Sequence, residues 1–299
     1  MQSYSRGLRE LCRLLGYTSQ AYYQYRSGLA KRSLKEELLI QQVLRHRRLQ
    51  PRLGARKLLV KLQPFMYEHA ICMGRDIFFE LLRVNGLLIR RRRQQRPRTT
   101  FSMHHFKKYP DRIKGLVISR TEQLWVSDIT YINLRKSFAY LCLITDVYSH
   151  KIVGYHLSND LAAEGCISAL KMAVNTRTGN HPLLHHSDRG TQYCSLAYTK
   201  LLHEHHIDIS MTQSGDPRDN AMAERVNGIL KQELLKEMYP GFKQAQQDVS
   251  KAIEIYNCHR PHSSVDMLTP EQAHTQSGEI RRRWKSYYKT AAKEVYMDS

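Results

Sequence analysis

Three consecutive segments between residues 124 and 158 constrain the fold of this chain more than any other feature. They read LWVSDITYINL, FAYLCLITDVYS and KIVGYHLS, and all are rich in the β-branched and aromatic residues that favour strands. Only short connections separate them, so we expect three adjacent strands in an antiparallel meander.

Helices and strands alternate after the meander. LAAEGCISALKMAVNT and LAYTKLLHEHH predict helices, PLLHH and IDISMT predict strands, and a long helix is expected over roughly residues 217–238. The resulting order, β-β-β-α-β-α-β-α, is that of the ribonuclease-H-like fold. The sequence therefore predicts an α/β domain of this class.

Two acidic residues lie at distinctive places in the predicted sheet. Asp128 is in the middle of the first strand, where an aspartate is unfavourable unless it faces solvent or lies at an edge. Asp188 ends the fourth strand, in LLHHSDRGTQY, where an ordinary turn is the alternative interpretation. Asp146 also ends a strand, and we interpret it as a turn residue or a polar contact.

The last predicted helix supplies a third acid. Pro217 and Asn220 are candidates for its first residues. Glu224, Asn227 and Lys231 follow at spacings i, i+3 and i+7, so we expect them to share one exposed stripe. Such a stripe would present an acid, an amide and a cation to one substrate backbone.

In a ribonuclease-H-like sheet the first strand, the end of the fourth strand and the last helix converge at one edge. Clustered carboxylates repel each other, which raises their pKa values unless a cation neutralises them. Magnesium prefers oxygen ligands of this kind. Two such ions would activate water or a 3′-hydroxyl and stabilise the leaving oxygen of a phosphodiester.

The positive charge of the chain is concentrated in its first third. Residues 1–114 contain 26 Lys or Arg against 7 Asp or Glu, whereas residues 115–299 contain 21 against 20. A field of this kind suits a polyanion, to which counterion release would supply affinity. Anionic membrane is the competing partner, but no apolar run approaches the ~18 residues of a spanning helix. The start, MQSYSRGLRE, has no signal-peptide core either.

The cysteine and histidine spacings indicate no metal-binding framework. The six cysteines form no C-x-x-C pair, which argues against a disulfide scaffold or a zinc ribbon and fits a reducing cytosol. The His185–His186 pair and the histidines at 203–206 have no cysteine partners at zinc-finger spacing, so a structural zinc site is not expected.

The chain before the sheet is predicted to form short basic helices. SRGLRELCRLLGYTSQAYYQYR resembles a helix-turn-helix whose second helix runs through Tyr25, with an ordinary helical hairpin as the alternative. SLKEELLIQQVLRHRRL, PRLGARKLLVKLQ and MGRDIFFELLRVNGLL form a second helical group, from which Arg56 and Lys57 would reach phosphate. The arginine-rich run RRRRQQRPR at 90–98 would lie along a DNA groove and contact it. Its predicted DNA-contacting residues include Arg90, Arg91, Arg92 and Arg93.

These patterns divide the chain into five predicted regions. They are a helix-turn-helix-like segment over 1–50, a basic helical domain over 51–90, an arginine-rich linker over 91–114, a catalytic core over 115–240 and a helical extension over 241–299.

Residues 120–272 resemble the catalytic domain of a D-D-E transposase, a relative of the retroviral integrases. The matching motifs are W-V-S-D-I-T-Y-I around Asp128, H-S-D-R-G-x-Q-Y around Asp188, and D-N-A-M-A-E before Glu224. The 35 residues between Asp188 and Glu224 are the spacing of that family, and YNCHRPHSSVDMLTP matches its Y-N-x-x-R-P-H…T-P signature. The family is the bacterial insertion-sequence group typified by insertion sequence three, in its second-reading-frame product. SGDPRDN lacks the lysine of the usual K-G-x-x-x-D-N form.

The resemblance implies roles for the motif residues. Asp128, Asp188 and Glu224 would be the catalytic acids and would bind two Mg²⁺ ions, for which Mn²⁺ can substitute. Lys231 would hold DNA phosphate near the cleaved end.

Further motif residues are assigned less specifically. Asn220 and Asn227 would position DNA or the helix. His186, Arg189 and Gly190 would shape the loop around Asp188 or have a structural role, and Arg189 is also expected to contact DNA. The segment from Tyr256 to His262 would either pack the end of the domain or contact DNA.

The resemblance also implies the partners. These are double-stranded DNA, as the terminal inverted repeats of the element and as target, and further copies of the chain in a dimer or larger synaptic assembly. Such proteins are often fused to an upstream reading frame, and this chain is either a complete enzyme or the catalytic portion of a longer one. A cytoplasmic, nucleoid-associated location follows. The alternatives are a DNA-binding regulator of transposition without catalysis and a ribonuclease-H-like nuclease.

Overall fold

The computed structural model describes residues 3–90, 106–213 and 220–281. The chain divides into two compact units, Met1–Arg90 and Arg91–Ser299. Arg91, Arg92, Arg93 and Pro217 lie outside the described residues, so the structure says nothing of the arginine-rich linker run beyond Arg90. Within the described ranges, no helix is both long enough and apolar enough to cross a bilayer.

The N-terminal unit is helical. Its helices are α1 (Ser3–Leu14), α2 (Ser19–Leu49), α3 (Ala55–Glu68) and α4 (Arg75–Val84). Thr18 caps α2 by accepting a hydrogen bond from the Ala21 backbone N–H at 3.1 Å. The core is formed by apolar side chains of α2 to α4 and their connections, including Leu39, Leu58, Leu62 and Phe78.

The separation of α2 into two helices, one ending near Tyr25, is wrong. The helix runs without a break for 31 residues. The helix includes Gly28. A lone glycine costs a helix only about 1 kcal/mol relative to alanine, so Gly28 does not end it. The DNA-binding role of the α1–α2 pair stays a prediction.

The second unit contains a five-stranded mixed sheet. Its strands are β1 (Leu124–Asn133), β2 (Phe138–Asp146), β3 (Ile152–Ser158), β4 (Leu183–Ser187) and β5 (Ile207–Met211). Their order across the sheet is β3-β2-β1-β4-β5, and the predicted meander is confirmed because β1–β2 and β2–β3 pair antiparallel. The pairs β1–β4 and β4–β5 are parallel.

Helices cover both faces of the sheet. On one face, α5 (Ala163–Thr176), α6 (Thr191–Cys194) and α7 (Leu196–Glu204) pack in a core with Trp125, Cys142 and Ile144. On the other, α8 (Ala221–Ile229) and α9 (Phe242–His259) pack in a core with Ile132, Leu141 and Leu143. A 3₁₀ turn, Ser263–Val265, and α10 (Pro270–His274) follow. The unit is a ribonuclease-H-like α/β fold, as predicted.

The helix expected over 217–238 is shorter and irregular. After α8 the chain forms a π-helical turn, Leu230–Leu234, closed by a hydrogen bond from the Leu235 N–H to the Leu230 carbonyl at 2.8 Å. Leu235 then adopts an extended conformation, which ends the helix. Local helix propensity did not reveal this end, because the end depends on tertiary packing. The apolar residues after it, including Tyr239, pack in the core shared with α9.

Segments on both sides of the predicted catalytic core pack on the sheet unit. Upstream, the Met211 N–H donates to the Pro110 carbonyl at 3.3 Å and the Arg112 N–H donates to Ser210 Oγ at 2.9 Å, so the chain before β1 lies along β5. Downstream, Val249 and Tyr256 of α9 belong to the same core as β2.

Candidate active site

Asp128 and Asp188 both lie just beyond the point at which the parallel strands β1 and β4 stop pairing. The last β1–β4 pair joins Val126 to His186, and each aspartate lies two residues beyond its partner in that pair. Ladder pairing between β1 and β4 stops there, which opens the sheet between the two acids. The fold therefore brings together two acids that lie 60 positions apart in the printed sequence.

Glu224 lies on α8, which packs against the same end of β1. Ala223 is buried against Leu124 and Val126, while Glu224 itself is exposed. Its charge reaches Asp128, because Glu224 is among the groups that raise the pKa of Asp128. The three acids predicted from the sequence are thus electrostatic neighbours at one edge of the sheet.

The pKa of Asp128 shows how unfavourable its charge is in this environment. Burial raises this pKa to about 7, and the charge of Asp188 adds to the rise. Hydrogen bonds from Asn227 and from the Ile129 backbone oppose it, and the charge of Glu224 adds a smaller rise. A cation at this position would remove the repulsion.

Two asparagines join α8 to β1. The Asn227 amide donates to Asp128 Oδ2 at 2.7 Å, and the Asn220 amide donates to the Ser127 carbonyl at 2.9 Å. The prediction of an exposed stripe is wrong for Asn227, which is only 6% exposed. It lies beside Val226 on the buried side of the helix, where Asp128 provides its polar partner. Contact of either asparagine with DNA stays a prediction.

Lys231 lies in the π-helical turn and is partly buried. Burial lowers the pKa of Lys231 below its usual value, and the carboxylate of Asp128 opposes this. The cation predicted to hold phosphate is therefore close enough to Asp128 for their charges to interact.

The loop after Asp188 is shaped around its carboxylate. The Gly190 N–H donates to Asp188 Oδ1 at 3.0 Å, and a Cβ atom at Gly190 would lie 3.0 Å from that same oxygen. Gln192 donates to the Leu161 carbonyl at 2.8 Å, which fixes the next turn. These contacts explain the glycine in H-S-D-R-G-x-Q-Y. A DNA contact by Arg189, which is partly exposed, stays a prediction.

Three predicted DNA-binding residues lie in the N-terminal unit. Arg56 and Lys57 are in the first turn of α3, with Arg56 exposed and Lys57 partly exposed, and Arg90 is exposed after α4. Sequence patterns did not reveal Arg75 and Arg83, which line a surface hollow together with Arg56. Both are paired with acids, Arg75 with Asp76 and Arg83 with Glu80, in sequence-local ion pairs.

The segment from Tyr256 to His262 is largely interior. Tyr256, Asn257, Arg260 and His262 are all buried. Asn257 donates to the Ile152 carbonyl at 2.9 Å and accepts from the Ile152 N–H at 3.0 Å, which fixes the start of β3. Of the two interpretations left open by the sequence, packing is the one that these contacts support.

Asp146 is confirmed as a turn residue. Its carboxylate accepts hydrogen bonds from the Glu122 N–H at 2.8 Å, the Ser149 N–H at 2.8 Å and the Ser149 hydroxyl at 2.6 Å. The side chain is fully buried and holds the β2–β3 connection.

The acidic side chains at this edge are not positioned as a metal site, but their chemistry suits one. In the part of the chain that the structure describes, no group of three His, Cys, Asp or Glu side chains is arranged to hold a metal ion. The donor chemistry nevertheless fits a hard divalent cation, since Asp128, Asp188 and Glu224 offer only carboxylate oxygens and repel one another at Asp128.

Comparison with protein families and known proteins gives consistent matches. An integrase core domain family matches residues 119–217, and a second integrase core domain model matches residues 205–270. The insertion element IS600 uncharacterized 31 kDa protein of Shigella sonnei is 31% identical over 266 residues, which cover 87% of this chain and 96% of that protein.

Two relatives named as transposases match over shorter stretches. The transposase for insertion sequence element IS629 of Shigella sonnei is 40% identical over 126 residues, 42% of each chain. Transposase InsF for insertion sequence IS3fB of Escherichia coli (strain K12) is 34% identical over 161 residues, 53% of this chain and 56% of that protein. The match thus spans about half the length of these transposases. Among solved structures, the HTLV-2 integrase catalytic core domain in complex with magnesium is 18% identical, with a TM-score of 0.41, and covers 52% of this chain and 97% of its own.

Proposed function

Because this chain belongs to the insertion-sequence transposases with an integrase core domain, we propose that it cleaves DNA at the ends of its own mobile element and joins those ends to target DNA. The observation that carries the proposal is the placement of Asp128 and Asp188, each two residues beyond the last pair of the parallel strands β1 and β4, with Glu224 close enough to Asp128 for their charges to interact. Three acids near one sheet edge supply the carboxylate oxygens that metal-dependent phosphodiester chemistry uses.

In this proposal each side chain at the edge has a distinct role. Asp128, Asp188 and Glu224 would hold divalent metal, as two Mg²⁺ ions. Asn227 orients the Asp128 carboxylate through its 2.7 Å hydrogen bond. Lys231 binds a phosphate of the DNA end. Bound metal would supply the charge that activates water or a 3′-hydroxyl and stabilises the leaving oxygen.

The first 114 residues, which comprise the N-terminal unit and the segment that follows it, support the DNA-binding part of the proposal. Residues 1–114 hold nearly all of the excess positive charge of the chain, and phosphate neutralisation by such residues drives association with DNA. Reaction at two element ends further requires that copies of the chain assemble on DNA, with or without an upstream-frame partner. The protein would then act on the nucleoid.

The test is a DNA cleavage assay on the full chain. The protein is incubated with Mg²⁺ and a supercoiled plasmid that carries the DNA flanking its coding sequence, beside an Asp188→Asn variant, and products are mapped at nucleotide resolution. We expect nicks and joins at the element ends that vanish in the variant and without divalent metal.

The other outcomes identify the alternatives. Binding to the ends without strand breakage, alike in both proteins, would indicate a regulator or the need for an upstream partner. Cleavage spread over the plasmid regardless of the ends would indicate a nuclease.

A further inference from the structure

A buried ion pair joins the end of α9 to the π-helical turn that follows α8. Arg260 donates through Nε to Glu233 Oε2 and through Nη2 to Glu233 Oε1, both at 2.8 Å. The Arg260 side chain is 4% exposed and that of Glu233 is 20% exposed. This bidentate geometry fixes the orientation of the two side chains as well as their distance, because the planar guanidinium matches the planar carboxylate.

The surroundings of Arg260 hold the guanidinium in one place. Its Nη1 lies 2.8 Å from His262 Nε2, and the guanidinium carbon lies 5.9 Å from the centre of the Tyr256 ring. His262 in turn packs edge-on against Tyr256, with ring centres 4.9 Å apart. The arginine is therefore fixed at the C-terminal end of α9, and it holds Glu233 in place.

Glu233 and Lys231 lie in the same five-residue turn, Leu230–Leu234. Two residues along an α-helix are rotated by roughly 200°, and by somewhat less in a wider π-helical turn, so a turn held at Glu233 by α9 presents Lys231 on roughly its opposite side. Asp128 is near enough to Lys231 for its charge to act on it. Because π-helical turns are rare and occur mostly as single turns within α-helices, we expect the angle of this one to depend on outside contacts.

We propose that Arg260 is a positioning residue, which through Glu233 fixes the π-helical turn and so holds Lys231 toward the acidic edge that Asp128 and Asp188 form. The effect of Arg260 on the reaction rests on the proposed function, whereas its effect on the position of the π-helical turn does not. It gives the R-P-H motif a task in the reaction that needs no contact between the motif and DNA.

The experiment compares Arg260→Gln with Lys151→Gln in the full chain. Lys151 forms a 2.9 Å ion pair in the same unit with Glu271 of α10, rather than with the π-helical turn, so its variant controls for removal of an ion pair. Amide hydrogen exchange of the peptide covering 230–235 is measured first, without DNA. We expect faster exchange there in Arg260→Gln and no change in Lys151→Gln.

Cleavage kinetics at the element ends are measured next. In Arg260→Gln we expect kcat to fall by about ten- to a hundredfold, since a misplacement of about 1 Å in a site has that effect, while KM stays within about twofold. Arg260→Lys keeps the charge but not the fork and should recover only part of the rate. If Arg260→Gln does not fold, the double variant Arg260→Gln/Glu233→Gln, which leaves no lone buried charge, takes its place with the same expectations.

The outcomes separate the two proposals. If the Arg260 variants show the amide hydrogen exchange and the kcat of the wild-type protein, the positioning role is overturned. Faster exchange with kcat unchanged would also overturn it, because the turn would then move without consequence. If the wild-type protein itself fails to act at the element ends, the proposed function fails, and the exchange result alone decides whether Arg260 fixes the turn.

Discussion

Asp128 is the residue at which burial and charge conflict most sharply. Its hydrogen-bond partner is the neutral amide of Asn227, which orients the carboxylate but contributes no counter-charge. Asp188 and Glu224 add repulsion. An arginine in place of Asn227 would neutralise Asp128, so the choice of an amide leaves a place for a cation from outside the chain.

His185 is a buried base, whereas Asp128 is a buried acid, and its side-chain partner is also neutral. It is fully buried next to Tyr198, whose hydroxyl lies 2.9 Å from Nε2. Burial lowers the pKa of His185 to about 3, and the neighbouring His186 contributes to this. A histidine in the unfolded chain has a pKa near 6.5. The neutral ring therefore stabilises the fold above pH ~6.5, and this contribution is lost as the pH falls from there toward 3.

We predict that His185→Gln weakens this dependence on acid. Between pH ~6.5 and 5.5 the wild-type protein should lose about 1 kcal/mol of unfolding free energy through this residue, and the variant should not. Urea unfolding at both pH values measures the difference. His205→Gln, at an exposed histidine, is the control and should behave like wild type. Equal slopes in wild type and His185→Gln would contradict the prediction.

At the scale of elements, the packing of α5 on β3 depends on the absence of a side chain at Gly154. A Cβ atom at Gly154 would lie 2.2 Å from the Ala169 carbonyl oxygen and 2.8 Å from the Ala173 Cβ. Both atoms belong to α5, and one of them is backbone, so neither can yield by a side-chain rotation. The helix rests on the strand at this point.

Gly154→Ala should therefore destabilise the sheet unit by about 1–3 kcal/mol or more, as overpacking of a core does. Gly228→Ala is the matched control, since Gly228 lies in α8 and has no atom within 4 Å of the position that a methyl group would occupy. That change should be neutral or stabilise by up to about 1 kcal/mol. Thermal unfolding midpoints of the two variants should shift in opposite directions or differ by several degrees, and equal midpoints would count against the packing argument.

At the scale of the whole molecule, charge and chemistry are divided between the two units. The N-terminal unit carries the cations of α3, and the second unit carries the acids of the sheet edge. In the proposed reaction, the first unit attracts DNA and the second unit cuts it. This division predicts that changes in the first unit alter affinity through its salt dependence.

Arg56→Ala/Lys57→Ala should weaken DNA binding and reduce the slope of log K against log salt by about one for each phosphate that is no longer neutralised. Fluorescence anisotropy with labelled duplexes between about 50 and 200 mM salt measures the slope. Lys200→Ala is the control, because Lys200 is exposed on α7 of the second unit and is paired with Glu204 at 3.8 Å. An unchanged slope in the double variant would remove α3 from the DNA-binding surface.

The sequence by itself determined the features that depend on local pattern. β-Branched and aromatic residues identified the strands of the meander, because this local enrichment is visible within ten residues or so. Asp128, Asp188 and Glu224 were identified by their places in that pattern together with the family motifs. Net charge identified the first 114 residues as the basic part, since charge is additive and needs no fold.

Only the tertiary structure decided the features that depend on partners far apart in the chain. Asn227 is buried because Asp128, 99 positions away, accepts its hydrogen bond. The helix of Glu224 ends in a π-helical turn where Arg260, 27 positions away, holds Glu233. A helix pattern specifies which residues share a face, but not which neighbour that face meets. That neighbour fixes whether a polar side chain contacts solvent, DNA or another residue of the core.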